Sequence, residues 1–304
     1  MENNNSVKKL ITHNGSFHAD DVFAAAMLSL VLEREGQAYE IIRTRDEEVI
    51  KTGDYVFDVG GIYDADQNRF DHHQVGGAGK RESEPYIEYS SFGLVWKKFA
   101  SSLCGENKEV IDFIDEKLVA PIDAGDNGMN LVENKYDVSP YFVQNLIKSM
   151  QPTWKEENLN LDEMFLKSVA IAKEVLAREI IQTENGFEAM QMVISAYKNT
   201  KDKRVLVLDK RYPFEYTLAN FPEPLFVIYP RKTNDDWAVR AVKENNEAFK
   251  NRKDLPSSWS GLRDEELQNI TGVSDAVFCH RKLFLAVAKS QEGAIKLAQI
   301  ALKF

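Results

Sequence analysis

The chain runs to 304 residues with 43% hydrophobic content, two cysteines and a formal net charge of −10. That length exceeds the roughly 100–200 residues of one domain, so two domains are expected, and no apolar run approaches the about 20 residues that span a bilayer. The acidic balance argues against a dedicated, non-specific binder of duplex DNA, which carries a broad cationic face, but it leaves room for a small anionic substrate where bound divalent cations supply positive charge.

The polar start Met1-Glu2-Asn3-Asn4-Asn5-Ser6 follows neither the plan of a secretory signal nor that of an Arg-rich transit peptide, so a cytoplasmic address is expected. Residues 8–13 read as a short strand ending at His13, and residues 21–35, rich in Ala and Leu, as a helix. Residues 38–43 read as a second strand and 54–57 as a third, which ends at Asp58 and is stopped by Gly60-Gly61. Gly76-Gly77-Ala78-Gly79-Lys80 reads as a loop, and residues 91–102 and 108–119 as helices. This alternation implies an α/β fold built on a doubly wound, mostly parallel sheet, whose ligand crevice lies at the carboxyl ends of the strands. His13 and Asp58 both fall where a strand ends, and so in that crevice.

Residues 161–183 form a long helical pattern that the turn signal Asn185-Gly186 is expected to end, bridging to a second domain. Beyond it, residues 204–208, 225–229, 237–242, 276–279 and 283–288 are strand-like and 291–302 closes the chain as a helix, which suggests a smaller α+β domain. The expected division is 1–186 and 187–304. Cys104 and Cys279, far apart in apolar contexts, read as buried thiols in a reducing compartment. Of the four tryptophans, Trp96 is expected in the core. Trp259, in a polar loop, is the one placed to face a cleft between domains, although burial is the plainer expectation.

The chemistry concentrates near the amino terminus. Four of the five histidines lie within the first 73 residues, each near carboxylates: His13 and His18 in His13-Asn14-Gly15-Ser16-Phe17-His18-Ala19-Asp20-Asp21, and His72 and His73 in Asp71-His72-His73, with Asp58 between the two runs. Imidazoles and carboxylates without competing thiols form a ligand set for hard-to-borderline divalent metals. Each piece alone has a plain structural reading. A strand-end His is often only hydrogen-bonded, a His pair can sit in a surface turn, and Asp20-Asp21 ahead of an apolar run can cap a helix, Asp21 being the better placed. Only a fold that gathers strand ends brings His13, His18, Asp20, Asp58 and His72 together.

These motifs resemble the DHH phosphoesterase superfamily. More closely, His-Asn-Gly-x-Phe-His-x-Asp-Asp, Asp58-Val59-Gly60-Gly61-Ile62-Tyr63-Asp64, Arg69-Phe70-Asp71-His72-His73-Gln74 and the downstream run Trp259-Ser260-Gly261-Leu262-Arg263-Asp264 resemble the MYG1 (UPF0160) family over nearly the whole chain. The resemblance implies a DHH-like catalytic domain with a bridging helix over 1–186, a substrate-binding domain over 187–304, and two divalent ions. Manganese leads, with iron, zinc or magnesium as alternatives. His13, His18 and Asp58 would hold one ion; Asp20, Asp58, His72 and a later Asp, best matched by Asp123 with Asp126 as the neighbouring alternative, would hold the other. His18 stands where the broader superfamily usually has Asp. Asp71 would orient His72 by accepting its proton, and His73 would face the substrate phosphate, so these two are the catalytic candidates. In the second domain His280 and Arg281 are the substrate-binding candidates, whereas Ala286 and Val287 stand where the family suggests a Gly pair.

The activity implied is phosphodiester hydrolysis of RNA or short oligonucleotides, with a 3′–5′ exonuclease as one form of it, neither membrane nor duplex DNA as partner, and self-association left open. Two other classes compete: a small-molecule phosphohydrolase or pyrophosphatase, which the acidic surface favours, and a metal-stabilised binding or regulatory protein without turnover, which a full set of ligands argues against.

Overall fold

The computed structural model describes residues 6–156, 158–232, 235–245 and 250–304. It divides into two compact units, Met1–Glu184 and Asn185–Phe304.

In the first unit the elements are β1 (Lys8–Thr12), α1 (Ala19–Arg34), β2 (Tyr39–Arg43), α2 (Glu47–Ile50), β3 (Tyr55–Phe57), β4 (Tyr63–Asp64), β5 (Arg69–Phe70), α3 (Ser91–Cys104), α4 (Lys108–Ile114), a π-helical turn (Asp115–Val119), α5 (Ala120–Asp126), α6 (Val143–Ser149) and the start of α7 (Leu161–Asn199). The strands form one sheet in the order β2-β1-β3-β5-β4. All neighbours are parallel except the β5–β4 pair. The α/β expectation holds. Helix α1 is apolar nearly all round and is buried nearly all round, as a helix without a polar face must be. Its alanines allow a close approach to α3, and Phe23 and Phe92 meet with ring centroids 5.4 Å apart.

Two helices differ from expectation. The pattern over 108–119 does not stop there: α4 passes through the π-helical turn into α5, and Pro121, which has no N–H to give the ladder, stands just after that irregular turn. Helix α7 does not end at Asn185-Gly186 but runs on to Asn199. A Cβ built on Gly186 would meet nothing within 4 Å, so the glycine costs only its propensity, about 1 kcal/mol, in a helix otherwise rich in good formers. The division between the units falls inside this helix.

The second unit carries β6 (Val205–Val207), α8 (Glu215–Leu218), β7 (Phe226–Pro230), β8 (Trp237–Ala241), α9 (Asp264–Thr271), β9 (Ala276–Cys279), β10 (Leu285–Ala288) and α10 (Gln291–Ala301). Its sheet runs β6-β7-β8-β10-β9, with only β6 and β7 parallel. Strand alternation shares its side chains between two cores: Phe226 and Ile228 face the layer of α10, while Val227 and Tyr229 join Leu206, Phe214 and Val193 on the other face. Trp259 lies in the α10-side core at 1% exposure and faces no cleft, whereas Trp154 is the exposed tryptophan. Trp96 is buried, as are both cysteines, and burial pushes their thiols up, to about 11 for Cys104 and about 12 for Cys279. No helix among the described residues is long and apolar enough to cross a membrane.

Removing the Trp259 side chain leaves a large void in a closed core. Trp259→Ala is expected to destabilise the protein by about 3–5 kcal/mol in urea unfolding, whereas a loss under about 1 kcal/mol would return this residue to a surface role.

Candidate metal centre

Three neighbouring parallel strands end at one edge of the first sheet. β1 delivers His13, β3 delivers Asp58, and β5 delivers Asp71-His72-His73. The start of α1 faces the same edge with His18 as its N-cap and Asp20 and Asp21 in its first turn, and α5 contributes Asp126 as its last residue. Backbone pairing continues past the strands: Asp58 N–H donates to Phe70 O at 3.4 Å, Asp71 N–H to Ile62 O at 3.1 Å. Gly61, at φ +68°, turns its N–H onto Asp71 Oδ2 at 2.5 Å, a conformation that a Cβ would strain.

Asp58 is the hub. Its Oδ2 lies 3.1 Å from His13 Nε2, and its Oδ1 lies 3.3 Å from His72 Nε2 and 3.5 Å from His73 Nδ1. His13 Nε2 also lies 3.3 Å from Asp21 Oδ2, and His72 Nε2 lies 3.3 Å from Asp126 Oδ2 and 3.8 Å from Asp20 Oδ2. Ligand atoms of His13, His18 and Asp58 lie within 4.8 Å of one another, as do those of His18, Asp20 and Asp126, of Asp20, Asp21 and Asp58, and of Asp58, His72 and His73. His13 Nδ1 is 3.0 Å from Asn14 O, which assigns the ring proton to Nδ1 and turns the Nε2 lone pair to the cluster.

The donor set fits divalent cations on physical grounds. Both oxygens of Asp20, Oδ2 of Asp21 and Nε2 of His72 are buried without a hydrogen-bond partner. An orphaned buried carboxylate is costly, and a cation is the partner that several such groups can share. The proton affinities agree. Burial, and then the charges of Asp58, Asp126 and Asp21, push Asp20 well above the usual carboxylate range. Burial likewise raises Asp126 and Asp21, the latter against the opposing pull of His13. Burial would lower His13, but Asp21 and Asp58 override it and lift the imidazole from 6.5 to about 10. Burial would raise Asp58, yet His13 and His72 hold it below the usual range. Without cations, then, the cluster is held together by protons at positions that metals could take.

Two expected roles change. Asp123 does not join the cluster. Its Oδ2 accepts from Arg81 Nε at 2.9 Å and Nη2 at 2.6 Å, and its Oδ1 accepts from Ser90 Oγ at 2.6 Å and Gly93 N at 3.1 Å. A carboxylate with four donors has no lone pair left for a metal. Asp126, one helical turn later, stands at the cluster instead. Asp71 partners His73 rather than His72, facing His73 Nδ1 at 2.8 Å and accepting from its N–H at 3.0 Å. Asp21 does cap α1, its Oδ1 accepting from His18 N–H at 2.8 Å, but its other oxygen joins the cluster, a double role that the sequence reading missed.

The cluster opens on a cavity of about 550 Å³ lined by His13, Gly15, His18, Arg45, Asp58 and His73 among others. A larger cavity, about 650 Å³, around Arg81, Tyr86 and Lys97 contains none of the clustered ligands. In the second unit His280 and Arg281 occupy the turn between β9 and β10. His280 Nδ1 accepts from Lys282 N–H at 3.1 Å and its ring lies 4.3 Å from that of Phe284, so the side chain is partly committed to its own turn; Arg281 is exposed. Ala286 and Val287 lie fully buried in β10, which leaves no backbone cradle there.

The pH response of stability follows. His13, raised on folding, contributes stability that is complete below 6.5 and is lost as pH rises through about 10. The raised acids Asp20, Asp21 and Asp126 act in the same direction, and Asp58 acts oppositely but only in acid. Chelator-treated protein is therefore expected to lose thermal stability from pH 6.5 toward 10. Protein saturated with manganese is expected to resist that loss; identical profiles with and without metal would contradict this.

Residues 9–302 match the family model MYG1_exonuc, described as "Uncharacterised protein family (UPF0160)". The MYG1 exonuclease of Mus musculus is 30% identical over 322 residues, covering 96% of this chain and 84% of that protein. The MYG1 protein of Dictyostelium discoideum is 28% identical over 317 residues, covering 95% and 94%. The solved structure of RecJ in complex with Mn2+ from Thermus thermophilus aligns with 98% of this chain and 52% of that chain, at 12% identity and a TM-score of 0.29, too low to carry weight. With its amino-terminal motifs and nearly its full length matched, the chain belongs to the MYG1 (UPF0160) family.

Proposed function

We propose that the first unit is a metal-dependent phosphoester hydrolase that uses two divalent cations, manganese first among them, to cleave RNA or short oligonucleotides as an exonuclease, with 3′–5′ the polarity to test. The single observation that carries this is the division of Asp58: its two oxygens face separate histidines, so one carboxylate can bridge two cations. His13, His18, Asp21 and Asp58 would hold one cation, and Asp20, Asp58, His72 and Asp126 the other. When bound, two such cations stabilise the attacking and leaving oxygens of an in-line displacement at phosphorus.

The chain's own residues supply the rest. Asp71 accepts the Nδ1–H of His73, which fixes the tautomer and leaves Nε2 as the free ring nitrogen of a side chain that is 63% exposed. With a second proton on Nε2, as the imidazolium that Asp71 would stabilise, His73 can donate to a phosphate oxygen or pass that proton to the leaving oxygen. The exonuclease names of relatives such as that of Mus musculus support a nucleic-acid substrate. A small phosphoester or pyrophosphate is the second reading, favoured by the net charge of −10, which repels a long polyanion outside the cleft. A substrate-binding role for the second unit, through His280 and Arg281, belongs to the same proposal.

Asp58→Ala should reduce bound metal from about two ions per chain to one or none, because the bridge is lost. His73→Ala should leave metal nearly intact and depress turnover. Both variants are to be assayed by plasma emission for metal and by hydrolysis of short RNA, short DNA and pyrophosphate. Unchanged metal in Asp58→Ala would sink the two-metal arrangement, and pyrophosphate outpacing RNA would favour the second reading.

A further inference from the structure

The segment Arg43-Thr44-Arg45 leaves the carboxyl end of β2, beside β1, and its two arginines are used differently. Arg43 is committed to the scaffold. Its Nη2 donates to Gly15 O at 2.6 Å and its Nη1 pairs with Asp162 at 2.6 Å, while its guanidinium lies 4.6 Å from the Phe165 ring and 5.7 Å from the Phe17 ring. It thereby pins the loop between His13 and His18. Arg45 is exposed, lines the cavity over the metal centre, and forms no hydrogen bond or ion pair among the described residues. The neighbouring carboxylate, Asp46, is occupied in capping α2, its Oδ1 accepting from Glu48 N–H at 2.9 Å. Among the described residues Arg45 is also the single lysine or arginine lining this cavity, whose carboxylates are Asp58 and Asp71, both buried and each facing a histidine.

An unpaired guanidinium lining the same cavity as His13, Asp58 and His73 has a defined chemistry. Its planar fork takes two oxygens of a phosphate at once, which a lysine's point charge cannot do. The cavity, at about 550 Å³, falls in the range of sites that enclose a small ligand such as one nucleotide.

We infer that Arg45 is the phosphate receptor of this cavity, gripping the non-bridging oxygens of the phosphoester held at the metal centre and so admitting the terminal nucleotide of the substrate. The inference rests on the hydrolase reading for its substrate, but the receptor can be tested by binding alone. It also moves the principal anion contact from the turn holding Arg281 into the first unit.

The full chain loaded with manganese is titrated with adenosine 5′-monophosphate and with inorganic phosphate by calorimetry, and hydrolysis of a short oligoribonucleotide is measured in parallel. Arg45→Ala and the volume-preserving Arg45→Gln should weaken phosphate binding and raise KM by about ten- to a hundredfold, with metal content unchanged and kcat less affected. Arg45→Lys should recover part of the loss, since it restores charge without the fork. Wild-type binding and KM in Arg45→Ala would overturn the receptor while leaving hydrolysis standing. Loss of metal in both Arg45→Ala and Arg45→Gln would overturn it too, by making Arg45 part of the metal scaffold. A wild-type protein that hydrolyses nothing yet binds phosphate through Arg45 would remove the hydrolase reading and keep the receptor; one that binds no phosphate would remove the receptor.

Discussion

The structure depends on keeping one carboxylate, Asp58, charged and dry at the end of β3. It is almost wholly buried, and its backbone sits at φ +55°, a left-handed conformation that few residues other than Gly, Asn and Asp adopt without strain. That twist turns the chain out of the strand directly after Phe57, so that the carboxylate stands at the sheet edge instead of alternating into a core. A charge so placed is tolerable only when surrounded by positive partners. The histidines delivered by the flanking strands β1 and β5 are those partners, protonated when cations are absent and neutral as ligands when cations are bound. The parallel order β1-β3-β5 places the shared carboxylate on the middle strand and the histidines that face it on its two neighbours.

Around this hub two further carboxylates hold the frame without entering it. Asp123 ties Arg81, Ser90 and the start of α3 to α5, and its close fit shows in Gly93, where a Cβ would come within 2.1 Å of Asp123 Oδ2. Since Ser91 Oγ lies 3.5 Å from Asp58 Oδ1 and Asp126 lies one turn beyond Asp123, this buried network sets the distance between the hub and its last candidate ligand. Asp71 performs the equivalent task on the other side, joining Gly61 to His73. Acidic residues in this chain therefore fall into two physical kinds. Asp123 and Asp71, with backbone, arginine, hydroxyl or His73 ring donors on every oxygen, are framework; Asp20, Asp21 and Asp58, each with an oxygen that is left free or faces the cluster's histidines, are available to cations.

That distinction marks how far the sequence could be read. Strand ends were legible because short β-branched and aromatic runs stop at recognisable places, and they located His13 and Asp58 without help from tertiary contacts, whereas β5, only two residues long, left His72 to be picked out by its motif alone. Which aspartate joins the cluster was not legible, because Asp123 and Asp126 share one helix and differ only in which donors meet them. Arg81, the residue that claims Asp123, lies 42 positions away in a loop with no periodic signal. The extent of α5 was hidden for a related reason: a proline in a helical pattern reads as a breaker, but Pro121 follows a π-helical turn, an irregular stretch of the ladder, and the helix runs on past it. The same limit applied to α7, where Asn185-Gly186 has the composition of a turn and the structure of a helix, since the packed residues on either side outweigh the propensity of one glycine.

Charge was the other quantity that composition concealed. A net charge of −10 suggests poor affinity for anions, yet five aspartates of the first unit, Asp20, Asp21, Asp58, Asp71 and Asp123, are turned inward, and Asp58 and Asp123 meet histidine and Arg81 there. What an incoming phosphate meets in the cavity is His73 and the unpaired Arg45 beside a centre whose negative charge cations would cancel. Electrostatic selection would then operate at short range, within the cavity, while the acidic exterior discourages long polyanions from settling elsewhere on the surface. An enzyme built in this way would favour chain ends or short strands over the middle of a long nucleic acid, because only a terminus can enter a cavity of this size without drawing a continuous polyanion along a chain whose net charge is −10.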